Sequence, residues 1–184
     1  MSISPSRQTR SLAAERSEGG LSEFDSRQFR DALGHFASGI TTITSTKDGE
    51  PIGLTCQSFF SVSLEPALVS FSVGVSSSTY PAIREAGRFC VNLLSRDQVH
   101  ISNQFGSRSD DKWRGIGWQP SNAGNPILDN CLAWVDCELT SEYPAGDHLI
   151  VVGQVLEISH APNREQSPLL FFKGRYHALA DAIA

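Results

Sequence analysis

The run Gly53-Leu54-Thr55-Cys56-Gln57-Ser58-Phe59 sets hydroxylic, amide and small side chains at the end of an extended stretch. Leu64-Glu65-Pro66-Ala67-Leu68-Val69-Ser70-Phe71-Ser72-Val73 then leads straight back beside it. Gly53 lets backbone come close to a ligand, and Thr55, Gln57 and Ser58 offer donors and acceptors without fixed charge. Such a wall suits a flat heterocycle edged with carbonyls and ring nitrogens better than a phosphate or a metal. A polar strand-to-loop passage with a glycine bulge has the same composition, so the rest of the chain has to decide between them.

Three other clusters carry possible chemistry. Ser76-Ser77-Ser78-Thr79 lies just before an expected helix, where backbone N–H groups, hydroxyls and the positive helix end can meet a phosphate; simple helix capping is the competing reading. His148, in Gly146-Asp147-His148, sits at the start of an expected strand and either faces a cleft or is an ordinary rim residue. Phe171-Phe172-Lys173-Gly174-Arg175-Tyr176 combines aromatic faces with two cations, as a nucleotide site does and as a core strand emerging into solvent also does. Other chemistries are disfavoured. Gly115-Ile116-Gly117 starts a dinucleotide fingerprint, but Pro120 takes the third glycine's place and no strand precedes it. His35, His100, His148, His160 and His177 show no metal-ligand spacing, and no nucleophile elbow or Walker motif occurs.

These clusters need a sheet to hold them. Residues 1–23 are rich in Ser, Arg, Glu and Gly without apolar periodicity and read as a disordered leader, leaving 24–184 as one folded domain. A helix capped by Asp25 or Ser26 carries Phe29, Leu33 and Phe36 on one face and is expected to end at Gly39. Ile40 to Thr46 and Pro51 to Cys56 form a hairpin around Asp48-Gly49. Leu68 to Val73 is a third strand. A short helix capped by Thr79, with Pro81 in its first turn, then runs to Gly87. Phe89 to Leu94 is a strand, 97–105 a short helix, and a polar loop extends to Pro126. Leu132 to Ser141, Leu149 to Ser159 and Leu169 to Tyr176 complete the strand set. Six or seven strands punctuated by short helices indicate a mainly β fold, a closed or half-open antiparallel barrel.

The 184 residues suffice for one good core, and a net charge of -5 without cationic blocks argues against nucleic acid and anionic membranes as partners. No apolar run approaches a membrane span and no apolar signal core opens the chain, so the expected compartment is the cytoplasm. Cys56, Cys90, Cys131 and Cys137 lack paired spacing and read as buried thiols, with Cys56 notable for lying inside the polar run.

Taken in order, these segments resemble the flavin reductase-like family, which folds as an FMN-binding split barrel, and particularly the reductase components of two-component aromatic monooxygenases. The likeness spans Phe24 to Leu179 and is carried by several segments. They include Phe29 to Gly39, Pro51 through Phe59, Leu64-Glu65-Pro66 and Gly87 to Leu94. Beyond these come Phe105-Gly106 with Asp111-Lys112, Gly146-Asp147-His148 and Pro168 to Tyr176. The resemblance implies an antiparallel split β-barrel with short flanking helices. It implies an isoalloxazine ring along Pro51, Ile52, Gly53, Leu54 and Thr55 and the strand end Ser72, Val73 and Gly74. It places the ribityl phosphate at Ser78 and Thr79, with Gln104 and Phe105 bordering the flavin. The nicotinamide nucleotide is expected at Gln57, Ser58, Phe171, Phe172, Lys173 and Gly174, with His148 as the catalytic candidate that positions the nicotinamide.

The implied activity is reduction of free FAD or FMN by NADH or NADPH. A homodimer and an oxygenase that takes the reduced flavin to an aromatic or phenolic compound are the implied partners. A flavin carrier or sensor, and an oxidase of the pyridoxamine-phosphate oxidase type, are the rivals. Two departures stand out. Many relatives carry Lys or Arg in the loop before the phosphate, whereas Val75-Ser76-Ser77-Ser78 has none, which predicts weaker, less charge-driven flavin binding. Trp113 stands where Phe is usual.

Overall fold

The computed structural model describes residues 24–109, 111–159 and 166–179. The expected leader, residues 1–23, lies outside them. Helix α1, Ser26–Leu33, opens on a reciprocal cap: Asp25 Oδ1 accepts the N–H groups of Arg27 and Gln28 at 2.8 Å, and the Gln28 amide oxygen accepts the Asp25 N–H at 2.9 Å. It ends at Gly34 rather than Gly39, because the Gly34 carbonyl accepts the Lys173 N–H at 2.9 Å and the chain turns away to pair with the C-terminal hairpin. Its apolar stripe packs against no core, and Phe29 and Leu33 are exposed.

Strand β1, Ser38–Gly39, joins β11, Leu170–Phe172, and β12, Arg175–His177, in a small three-stranded sheet. The last expected barrel strand is therefore a hairpin outside the barrel, turning at Lys173 and Gly174. The large sheet begins with β2, Thr41–Lys47, and β3, Glu50–Cys56, joined through Asp48 at φ 53° and Gly49 at φ 83°. That left-handed pair matches the twist of the flanking strands. Next come β4, Phe60–Leu64, and β5, Ala67–Gly74. Helix α2, Tyr80–Ala86, leads to β6, Arg88–Leu93. A turn of 3₁₀ helix at Arg96–Gln98 runs into α3, Val99–Gly106. Two short strands, β7, Trp118–Pro120, and β8, Pro126–Leu128, form a hairpin inside the expected polar loop. The long β9, Ala133–Ala145, and β10, His148–Ile158, complete the sheet.

The seven-stranded sheet has the order β3-β2-β6-β9-β10-β5-β4, and every pairing in it is antiparallel. It curls until the end of β3 reaches β5. Among the described residues no ladder closes that seam. Ser58 bridges it instead, its hydroxyl accepting the Ser72 N–H at 2.7 Å and donating to the Ser72 carbonyl at 3.1 Å. The barrel is thus split, and the split is held open at a defined width.

Ile43, Phe71, Phe89, Val91 and Val151 fill the interior with Ile83 of α2, all fully buried, and Phe71 meets Phe89 edge to face at 5.2 Å. A second apolar cluster, including Ile101 and Phe105 of α3 with Leu94 and Leu128, fixes α3 beside the split. The buried Asn92 holds the β7–β8 hairpin down: its amide donates to Thr44 Oγ1 at 2.9 Å, and its oxygen accepts the Leu128 N–H at 2.8 Å. Among the described residues no helix is long and apolar enough to cross a membrane.

Candidate functional site

A cavity of about 790 Å³ opens at the split, within the range of small-molecule sites. One wall is the end of β3. As an edge strand it has β2 on one side only, leaving backbone groups on its other edge available to a ligand. Leu54, Thr55, Gln57 and Ser58 line the cavity here. The Thr55 hydroxyl already donates to the Ser102 carbonyl at 2.7 Å, and Ser58 is spent on Ser72. What remains for a ligand is Thr55's acceptor capacity, the exposed Gln57 amide and the backbone.

Gly53 lies under this wall for a different reason than ligand approach. A Cβ there would stand 2.7 Å from Phe105 Cε1, and Phe105 is only 1% exposed. The missing side chain makes room for the almost wholly buried Phe105 ring, and Phe105 is among the residues that line the cavity. Trp113 braces that ring edge to face at 4.8 Å. Among the described residues its buried Nε1 has no hydrogen-bond partner.

The opposite wall is the end of β5, with Ser72, Val73 and Gly74, and the loop that follows. Two backbone bonds shape that loop: Val75 N–H donates to the Asp147 carbonyl and Ser77 N–H to the Gly74 carbonyl, both at 3.0 Å. Ser77 rather than Thr79 makes the side-chain contact at the helix start, its hydroxyl accepting the Tyr80 N–H at 3.2 Å. Ser78 and Thr79 line the cavity with their hydroxyls uncommitted to the helix. Tyr80 anchors the loop's far end. Its hydroxyl donates to Glu142, which Arg84 also engages at 2.8 Å. Burial, reinforced by the adjoining carboxylate, pushes the Tyr80 phenol well above its ordinary range.

His148 enters through strand register. It pairs with Gly74 across the β5–β10 ladder, and its Nε2 stands 3.9 Å from the point where a Cβ on Gly74 would lie. Its Nδ1 meets Asp147 Oδ1 at 2.7 Å, and this bond, with the charge attraction behind it, holds the Asp147 carboxyl below its ordinary value. The ring is therefore oriented from one nitrogen with the other left for the cavity. Cys56 also lines the cavity, but burial raises its thiol pKa and its sulfur rests 3.3 Å from the Ser58 hydroxyl, so it is no nucleophile.

Several expected site residues lie elsewhere. Pro51 and Ile52 sit farther back on β3, and the Gln104 amide turns away to hold the Lys112 and Arg114 carbonyls, each at 2.9 Å. Phe172 packs against His177 on the outer hairpin. Lys173 and Gly174 border a second hollow of about 680 Å³ between α1 and that hairpin. Gln57 and Phe171 line both cavities and make them neighbours. Residues outside the expected cofactor contacts complete the cleft: Tyr176, whose hydroxyl meets Ser102 Oγ at 3.0 Å and Asn103 Oδ1 at 2.9 Å, and the cations Arg108 and Lys112. Tyr176 and Lys112 belong to segments that marked the family likeness, but nothing in their spacing revealed which way they face. Ser102 and Asn103 carried no signal at all.

Residues 33–180 match the family described as flavin reductase like domain. The chain is 46% identical over 154 residues to a flavin-dependent monooxygenase reductase subunit, HsaB, of Mycobacterium tuberculosis, covering 84% of this chain and 82% of that one. Among solved structures it is similar to a nitrilotriacetate monooxygenase component B homologue from Mycobacterium thermoresistibile. That similarity has a TM-score of 0.82 at 44% identity, covering 86% and 90% of the two chains. It is likewise similar to a Streptomyces globisporus NADH:FAD oxidoreductase, SgcE6, solved with NAD and FAD fragments. Here the TM-score is 0.80 at 30% identity, covering 85% and 93%.

Proposed function

The chain belongs to the flavin reductase-like family, and on that premise we propose that its cleft unites a reduced nicotinamide nucleotide with a flavin and delivers reduced flavin to a separate oxygenase. The observation that carries this reading is the chemistry of the cleft itself. It offers uncharged donors and acceptors on two walls and, among the described residues, no activated nucleophile. Bound there, the two cofactors supply the reaction, a hydride passing from nicotinamide C4 to flavin N5.

The chain's own residues bind, orient and exclude water. The β3 edge and the Gln57 amide suit the polar rim of a flavin, and Phe105 borders it, as the family resemblance implies. Ser78 and Thr79 face the position of the ribityl phosphate. His148, set by Asp147 and by its register with Gly74, orients the nicotinamide, and Phe171 closes the cleft beside it. We assign the oxygenase to those acting on aromatic or phenolic compounds, from the likeness of the motif order to reductase components of such systems. The exposed apolar face of α1, next to the second hollow, supports a homodimer with the cleft near its interface.

The test is NADH oxidation by the purified chain without flavin, with excess FMN, and with excess FAD. Many turnovers that depend on added flavin are expected, and the two rates rank the flavins. A single turnover would make the protein a carrier. None with NADH or NADPH would overturn the reductase reading.

A further inference from the structure

The phosphate end of a flavin calls for a counter-charge, and the Val75-to-Thr79 loop contributes none. Across the cleft, the segment after α3 brings Arg108 and Lys112 to the same cavity. Lys112 is the one the fold holds firmly. Its Nζ donates to the Phe105 carbonyl at 3.2 Å and to Thr79 Oγ1 at 3.4 Å. Its main chain is fixed as well, by the Gln104 amide that grips the carbonyls on either side of Trp113. An ammonium has three donors, so one remains. Among the described residues no carboxylate stands within ion-pair distance of it. Partial burial lowers its pKa from the ordinary value, the mark of a charge whose lost hydration is not offset by a counter-ion. An anion arriving between Lys112 and Thr79 would offset it.

We propose that Lys112 is the phosphate-recognition residue of this chain, reaching across the cleft to hold the 5′-phosphate of the flavin against Thr79. The charge missing from the serine loop is thereby supplied from the opposite wall, in place of the weaker, less charge-driven binding that the loop alone predicts. The proposal rests on reading the cleft as a flavin site. It deepens that reading by making the phosphate, which FMN and FAD share and riboflavin lacks, the feature selected.

Equilibrium titration of flavin fluorescence separates the two ideas. The wild-type chain is expected to bind FMN about ten- to a hundredfold more tightly than riboflavin, the span a charge-assisted hydrogen bond gives. Lys112→Met should abolish that preference and leave riboflavin affinity unchanged, while Lys112→Arg should retain much of it. Added salt should weaken FMN binding and leave riboflavin binding unaffected. If wild type binds FMN and riboflavin equally, the assignment of Lys112 fails and the flavin site stands. If it binds neither, both fail. A Lys112→Met chain that loses riboflavin and FMN affinity together would make Lys112 a structural clamp. A loss of NADH binding with FMN affinity intact would give the cation to the nicotinamide nucleotide instead, and either result overturns the proposal.

Discussion

His148 owes its place in the cleft to register, and its orientation to one bond from Asp147 Oδ1. The His148 ring itself adds nothing to the barrel core, since its side chain is half exposed and that of Asp147 is 92% exposed. Replacing His148 by Ala should therefore leave folding intact and raise the KM for NADH about tenfold, the worth of one lost hydrogen bond to substrate. Flavin affinity, read by fluorescence titration, should stay within about twofold; equal losses of both would place His148 against the flavin rather than the nicotinamide. The residues around His148 left it open between a cleft position and an ordinary rim residue, and the family resemblance singled it out. The sequence was less informative about Gly53 and Ser58. Both types fit a ligand wall, but Gly53 yields to the Phe105 ring and Ser58 to the Ser72 backbone. Local composition shows that a small or hydroxylic group is wanted, and only the packing shows by what. Lys112 escaped for the converse reason: its role depends on a loop 33 positions earlier in the chain.

At the scale of elements, alternation and turn residues located the strands well. Asp48-Gly49 fixed the first hairpin, and β5, β6, β9 and β10 follow the apolar runs. Strand β4 and the β7–β8 hairpin were among the elements that stayed hidden. Strand β4 alternates Phe60, Val62 and Leu64 with serines, but all three apolar side chains are exposed, so its period reports an edge and no core face. The β7–β8 hairpin lies in a stretch rich in polar and turn residues, and it is held because Ile127 and Leu128 are buried and Asn92 and Thr44 bond to it from inside the barrel. Helix α2 shows how an element positions the site: Tyr80 and Arg84 tie it to Glu142 of β9 and so hold the Ser76–Thr79 loop. Burial alone would raise the Glu142 pKa, but the Tyr80 hydroxyl and Arg84 guanidinium outweigh it and hold the carboxyl below its ordinary 4.5. A carboxylate with a depressed folded pKa adds stability that is complete above its unfolded value and lost as pH falls through the folded one. Glu142→Gln should thus lower Tm by about 3 °C at neutral pH, after allowance for solvent screening of a partly exposed pair. The gap from wild type should close on acidification below pH 4.5, as thermal melts across that range would show. A constant gap would assign the effect to packing.

At the scale of the whole molecule, the apolar face of α1 is a surface that the fold of a single chain does not explain. Phe29 and Leu33 of α1 are exposed, Phe36 just beyond them is 81% exposed, and Phe24 stacks on Phe29 at 5.6 Å with no core behind either ring. An amphipathic helix gains its stability by burying its apolar stripe, and this one, eight residues long, is too short to persist on local bonds alone. The stripe borders the hollow beside the cleft, where Gln57 and Phe171 are shared between the two cavities. A second copy covering α1 would bury the stripe and bring the partner to the rim of the cleft, and assembly would then be coupled to activity. Sedimentation equilibrium should give twice the 20.0 kDa chain mass at micromolar concentration. Leu33→Asp with Phe36→Asp should shift that mass to the monomer and cut flavin affinity, because a charged pair cannot enter an apolar contact without leaving an unpaired buried charge. A wild-type monomer at every concentration would remove the partner from the site. An intact dimer in the double variant would move the interface away from α1, toward the exposed β4 edge, where Leu64 is 91% exposed.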